Sequence, residues 1–130
     1  DFFTDREPHA NPASELFELN EQGLVELYIS AISINNIYYI VRRFLGHKKT
    51  IKVVELLTEM TEIVGTTKEE INQALKNNFP DYEDSVQYSS ALTIKNLDAI
   101  ITRNIKDYRN SSIAVMTPLI FLKMKEKNEH

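Results

Sequence analysis

The sequence predicts an α/β protein: a three-layer fold in which a short, mostly parallel sheet is flanked by helices. Amphipathic helical patterns alternate along the chain with short β-rich runs, and this alternation is typical of parallel strands covered on both faces. The chain has 130 residues, of which 42% are hydrophobic. That length suits a single domain with one core, so we expect residues 1–130 to form one domain.

Composition excludes several classes of protein. Cysteine is absent, which excludes disulfides, zinc–thiolate sites and cysteine nucleophiles and is compatible with the cytoplasm, where we expect the protein. No apolar run is long enough to cross a membrane, so we expect no membrane partner. The net charge of −4 argues against a surface that is basic throughout, although basic residues can still surround an acidic site.

Helix and strand signals alternate in the first half of the chain. Pro12 suits the first turn of a helix, and Gly23 is a natural terminator for it. The alternating β-rich residues 25–30 predict a strand. Further apolar patterns predict two helices and a short strand, at residues 33–44, 50–60 and 62–64.

The second half begins with a capping box, in which Thr67 is followed three residues later by Glu70. This motif predicts a fourth helix, and Pro80 breaks the chain before a fifth. The remaining predicted elements are a helix at 82–95, a strand at 98–102, a loop at 104–111, a strand at 112–116 and a helix from 117 onward.

Carboxylates cluster where the fifth helix begins and where the following strand ends. Asp84 lies in the first turn of that helix, and Asp107 follows the strand. Open α/β sheets bind ligands at this kind of edge, so the two residues suit a divalent metal and a phosphate-bearing substrate. Asp84 could equally serve the helix terminus alone, with Asp81 as the cap, and Asp107 could be an ordinary loop carboxylate. A helix start favours the ionised form of Asp84.

Other polar residues are weaker candidates for the same site. Thr102 could bind a metal-bound water and Asn104 could orient water or phosphate, or both could belong to an ordinary strand end and turn. Asn36 could line the site or make a local hydrogen bond on a helix face. Arg42 and Arg43, in a basic run that continues through Lys49, could contact RNA phosphates or form a solvated helix end.

The order and spacing of several segments resemble the PIN domain family, whose nuclease members include VapC-like ribonuclease toxins. The resemblance covers essentially the whole chain and rests on residues 5–8, 27–39, 81–84, 101–108 and 115–122. It implies a Mg²⁺- or Mn²⁺-dependent ribonuclease in which carboxylates hold the metal. It also implies RNA as substrate, with an antitoxin protein and a second copy of the chain as partners.

The resemblance assigns each acidic position of the family pattern to one residue of this sequence. The acid at the start of the fifth helix corresponds to Asp84. The acid of the second helix corresponds to Asn36, and the acid after the late strand corresponds to Asn104, with Asp107 three residues further on. Both Asn36 and Asn104 are neutral where the family pattern has an acid.

The family's first strand, which ends in the main catalytic Asp, has no counterpart here because Asp1 aligns just after it. We therefore expect an N-terminally truncated PIN-like domain. Either the sequence is a fragment of a longer protein, or the domain is degenerate. Two functions follow from these alternatives: a metal-dependent ribonuclease, or a catalytically inactive module that binds RNA or protein. A receiver-type signalling domain is a third hypothesis, but the residues around Thr117 lack the Lys it would need.

Overall fold

The computed structural model describes residues 11–128, and the chain divides into two compact units after Gly65. Residues 5–8, one of the segments behind the family resemblance, lie outside the described range, as does His130. The described part contains five α-helices and two pairs of short parallel strands. The predicted α/β class is therefore confirmed, and the arrangement is compatible with a PIN-like fold.

The first unit contains α1 (Pro12–Glu21), β1 (Tyr28–Ser30), α2 (Ala31–Met60) and β2 (Glu62–Val64). Strands β1 and β2 pair in parallel, with Ile29 opposite Ile63. The side chain of Asn20 in α1 connects the other elements. Its Nδ2 atom donates to the Met60 carbonyl at 2.6 Å, and its Oδ1 atom accepts from the Leu27 backbone amide at 3.0 Å. One side chain thus connects the end of α2 to the residue that precedes β1.

A glycine accounts for the shape of α2. The sequence predicts two helices with a break near Gly46, whereas the structure has one helical element with a kink at that residue. Gly46 has a φ of 77°, a left-handed conformation that a residue without Cβ adopts at little cost. The Thr50 hydroxyl donates to the Gly46 carbonyl at 2.6 Å, which satisfies a backbone acceptor at the kink.

The second unit contains the remaining elements: α3 (Lys68–Lys76), α4 (Tyr82–Ala91), β3 (Ile100–Ile101), a short 3₁₀ helix (Ile105–Tyr108), β4 (Val115–Met116) and α5 (Pro118–Asn128). Strands β3 and β4 are parallel, and Ile101 lies opposite Met116. The predicted capping box is present, because the Glu70 carboxylate accepts from both the Thr67 amide at 2.8 Å and the Thr67 hydroxyl at 2.7 Å.

Several predicted boundaries are wrong. The fifth predicted helix, α4, ends at Ala91 rather than at residue 95. After it the Thr93 hydroxyl bonds back to the Ser90 carbonyl at 2.6 Å, and Asn96 adopts a positive φ of 60°, which α-helices exclude. The predicted loop at 104–111 contains the 3₁₀ helix, and β3 and β4 are shorter than predicted.

Small residues bring α3 and α4 together. The buried Ser85 hydroxyl donates to the Ala74 carbonyl at 2.8 Å, and the side-chain Nδ2 atom of Asn77 donates to the Ser89 hydroxyl at 2.9 Å. Serine side chains are short enough to allow close approach of the backbones, and each buried hydroxyl has a partner. This packing holds α4, whose first turn carries Asp84, against the preceding helix.

None of the helices between residues 11 and 128 combines the length and the hydropathy that a membrane-spanning segment needs.

Candidate metal site at the start of α4

Three aromatic rings pack α4 against the 3₁₀ helix. Phe79 stacks on Tyr88 with ring centroids 4.8 Å apart, and it meets Tyr108 edge to face at 5.6 Å. Tyr88 and Tyr108 are buried, with 7% and 5% of their surfaces exposed. Aromatic pairs of this geometry contribute more to the stability of the folded protein than the burial of their apolar area alone would. The cluster fixes the position of the first turn of α4 relative to the turn that carries Asp107.

Asp81 and Asp84 have different roles at the start of α4. Asp81 is the N-cap, and its side chain accepts a hydrogen bond from the Asp84 amide at 2.9 Å. This confirms Asp81 as a cap and leaves the Asp84 carboxylate available for other contacts. Asp84 accepts a hydrogen bond from the Tyr108 hydroxyl at 3.2 Å, and its carboxyl is also within hydrogen-bonding reach of the Asp107 side chain.

The environment of Asp84 favours its protonated form. Burial raises the pKa of Asp84 to about 6, with the charge of Asp81 as the next contribution. The hydrogen bond from Tyr108 lowers this pKa, while the Asp107 carboxylate raises it through both a hydrogen bond and its charge. The helix start by itself favours the ionised carboxylate, whereas burial moves the pKa of Asp84 in the opposite direction. A divalent cation placed between two such carboxylates would offset the repulsion between their charges.

Tyr108 was not among the candidate residues from sequence. Burial, followed by the charge of Asp84, raises the pKa of its hydroxyl, so Tyr108 remains a hydrogen-bond donor at neutral pH. The available signal was its position directly after Asp107, in a turn whose apolar members must face the core. That signal is weak, because the sequence does not show that the Tyr108 ring packs against Phe79.

Thr102 and Asn104 lie just beyond the carboxyl end of β3, where the sequence places them. The Thr102 amide donates to the Met116 carbonyl at 3.0 Å, which extends the pairing of β3 with β4. The Thr102 hydroxyl accepts from the Asn104 amide at 3.1 Å and so shapes the turn. Asn104 is exposed and precedes the 3₁₀ helix that carries Asp107. The structure thus supports a turn role for both residues, and a substrate role remains a prediction.

Asn36, Arg42 and Arg43 belong to the first unit. All three are exposed on α2. Their proposed place in one site with Asp84 therefore remains a prediction. Within the second unit, the structure brings together Asp84, Asp107 and Tyr108, with Asn104 on the same turn as Asp107.

The chemistry of these donors fits a hard cation. Carboxylate oxygens are the usual ligands of Mg²⁺, which is commonly held by one or two carboxylates with water completing its coordination. Asp84 and Asp107 supply two such groups at one place. No group of three or more His, Cys, Asp or Glu residues suited to a metal occurs within residues 11–128. The described residues therefore fit a carboxylate pair rather than a complete protein cage.

Parallel strand pairs, flanking helices and paired carboxylates at a helix start together define an α/β protein with a candidate cation site. A family model described as PIN domain matches residues 1–106. The chain belongs to the PIN domain family, which indicates a nuclease-type function, and PIN domains are generally nucleases that depend on a divalent metal. Searches of curated proteins and of solved structures found no significant match.

Replacing Tyr108 with Phe should raise the pKa of Asp84 above its value of about 6. The variant keeps the ring that packs on Phe79 but removes the hydrogen bond that favours the ionised carboxylate. Because metal must displace the proton, Mn²⁺ affinity at pH 6 should fall several-fold and recover at higher pH. Carbon-detected NMR titration of the Asp84 carboxyl would measure the pKa, and an unchanged or lower value would contradict this assignment.

Proposed function

We propose that the protein is a metal-dependent endoribonuclease that hydrolyses phosphodiester bonds in RNA. The observation that carries the proposal is the proximity of Asp84, in the first turn of α4, to Asp107, in the 3₁₀ helix, in a chain of the PIN domain family. Asp84 has a raised pKa and lies against a buried tyrosine. Perturbed carboxylates of this kind are concentrated at functional sites.

Each residue has a separate part in the proposed chemistry. Asp84 and Asp107 would hold Mg²⁺ or Mn²⁺ through their carboxylate oxygens. When bound, such an ion supplies an activated water and stabilises charge on the phosphodiester. Tyr108 donates to Asp84 and so orients its carboxylate. Asn104 and Thr102 are proposed to contact the substrate phosphate, and the role of Asn36 remains a prediction from the sequence.

The biological setting is also a proposal. The family resemblance suggests a toxin of a toxin–antitoxin pair, acting in the cytoplasm on cellular RNA. An antitoxin protein would then be a partner, and the chain would form a homodimer. The toxin role, the antitoxin and the homodimer are proposed from the family resemblance alone, and the absence of cysteine is compatible with the cytoplasm.

A second candidate is a catalytically degenerate PIN domain that binds RNA or protein. The neutral residues Asn36 and Asn104 favour it, because each stands where the family resemblance predicts an acid. The carboxylate pair favours the nuclease, since a degenerate site would have no need to keep Asp84 and Asp107 within reach of each other. We therefore prefer the nuclease.

A cleavage assay under metal control distinguishes the two functions. Purified protein with a mixed-sequence, end-labelled RNA should give discrete products in Mn²⁺ or Mg²⁺ and none in excess EDTA. Activity should rise as the pH increases through about 6, the pKa of Asp84, because the metal binds the ionised carboxylate. Cleavage that persists in EDTA would contradict metal dependence, and RNA binding without cleavage in either metal would favour the degenerate module.

A further inference from the structure

The kink of α2 carries a concentrated basic and aromatic surface, which we call the basic tip and define as residues 38–49. Five cationic residues occur between positions 42 and 52, and no acidic residue occurs between Glu26 and Glu55. The whole chain has a net charge of −4, so the charge of this positive segment is opposite in sign to that of the protein as a whole. Four of them belong to the basic tip, namely Arg42, Arg43, Lys48 and Lys49, and Lys52 lies just beyond it.

Every residue from Arg42 to Lys49 is exposed, including large apolar ones. Phe44 is 64% exposed and Tyr39 is 58% exposed. Isolated exposed apolar residues are common on protein surfaces. Here the two rings occur within a few residues of four cationic side chains, and that combination is typical of surfaces that bind nucleic acid.

Contacts across the kink organise the tip. The Tyr38 hydroxyl and the Nδ1 atom of His47 are 2.6 Å apart, so a hydrogen bond joins the two arms of α2 on either side of Gly46. The guanidinium carbon of Arg42 lies 5.9 Å from the centroid of the Tyr38 ring and 5.7 Å from that of Tyr39. These cation–π contacts hold Arg42 over the aromatic rings without neutralising its charge.

We propose that the basic tip binds single-stranded RNA, an inference that rests on the proposed function for its choice of RNA over other polyanions. The cationic side chains would contact backbone phosphates, and the exposed Tyr39 and Phe44 rings would stack on bases. Single strands fit better than duplexes because a duplex hides the faces of its bases. No acidic residue of the segment opposes an approaching phosphate chain.

Binding in EDTA tests the tip separately from cleavage. Fluorescence anisotropy with a labelled ten-nucleotide RNA should show that Lys48→Gln/Lys49→Gln weakens binding about tenfold at moderate salt. The slope of log affinity against log salt should fall by about 1.4, since each lost contact to a single strand contributes about 0.7. The matched control is Lys123→Gln/Lys127→Gln, which removes two exposed lysines of α5 and should leave affinity unchanged.

Aromatic variants test stacking. Tyr39→Leu and Phe44→Leu keep an apolar side chain at exposed positions, so they should leave the fold intact, and each should weaken binding about tenfold. A duplex of the same sequence should bind more weakly than the single strand. Three results would overturn the proposal. They are an equal loss of RNA affinity in the lysine control, equal affinity for the duplex and the single strand, and binding to anionic phosphatidylserine vesicles in preference to RNA.

The two proposals fail in different ways. Tip variants that bind RNA normally in EDTA, in a protein that still cleaves RNA with Mn²⁺, would overturn the tip and leave the nuclease intact. RNA binding that depends on the tip, without cleavage in any metal, would overturn the nuclease and support the tip.

Discussion

Replacing Asp84 with Asn should lower the rate of metal-dependent RNA cleavage by about 100-fold or more. The substitution keeps the size of the side chain but removes the charge that would bind the cation, and an electrostatic contribution of this kind commonly supplies several kcal/mol. Gel-based kinetics with a labelled RNA at saturating Mn²⁺ would measure the loss. Asp107→Asn should also lower the rate.

The matched control is Asp98→Asn. Asp98 is exposed and precedes β3, at the end of the strand opposite to Thr102 and the turn that carries Asp107. It undergoes the same chemical change, and its variant should cleave RNA at the parental rate. Equal losses in the two variants, or full activity in Asp84→Asn, would remove Asp84 from the proposed site.

The thermal stability of the Asp84→Asn variant shows whether a loss of activity comes from the missing carboxylate or from unfolding of the protein. The folded-state pKa of Asp84 is raised to about 6, above the unfolded value of about 3.9. The folded protein therefore binds the proton more tightly, and its stability falls as the pH rises from about 4 through 6. The variant removes this penalty, so it should be more stable than the parent at pH 7, by about 1 kcal/mol after allowance for solvent screening. Thermal unfolding at pH 4 should show little difference.

Replacing Tyr88 with Ala should destabilise the protein by about 3–5 kcal/mol, the largest effect on stability that we predict. The Tyr88 ring is 7% exposed and stacks on Phe79. Its hydroxyl lies 3.0 Å from the Ser112 hydroxyl and accepts from the Ser112 amide at 3.0 Å. Removal of the ring would leave a cavity in the cluster that joins α4 to the 3₁₀ helix. Urea unfolding followed by circular dichroism would measure the change.

The Tyr88→Phe variant separates the contribution of aromatic packing to this loss of stability from the contribution of the hydrogen bonds. It keeps the stacked ring and removes only the hydroxyl, so it should cost about 1 kcal/mol. Ser112 is exposed, and water can replace the lost partner. A phenylalanine variant as unstable as the alanine variant would show that the hydrogen bonds, rather than the aromatic packing, hold this part of the fold together.

Sequence reasoning worked best where local chemistry decides the structure. The sequence predicts the capping box of Thr67 and Glu70, the cap at Asp81 and an interruption of helical geometry near Gly46, because each depends on residues within one turn of the chain. Helix lengths were less predictable. The periodic pattern after Ala91 suggested continuation, but the bond from Thr93 back to Ser90 and the positive φ of Asn96 end the helix.

The sequence by itself determined the α/β class, the order of helices and strands, and the position of Asp84 in the first turn of a helix. These properties follow from hydrophobic periodicity, caps and breakers, all of which act over short distances along the chain. Only the tertiary structure decided that Tyr108 donates to Asp84 and that Asp107 lies within reach of it. The physical reason is that burial is the largest cause of the raised pKa of Asp84, and only packing decides which side chains bury this carboxyl and brings Tyr108 and Asp107, more than twenty residues away in sequence, next to it.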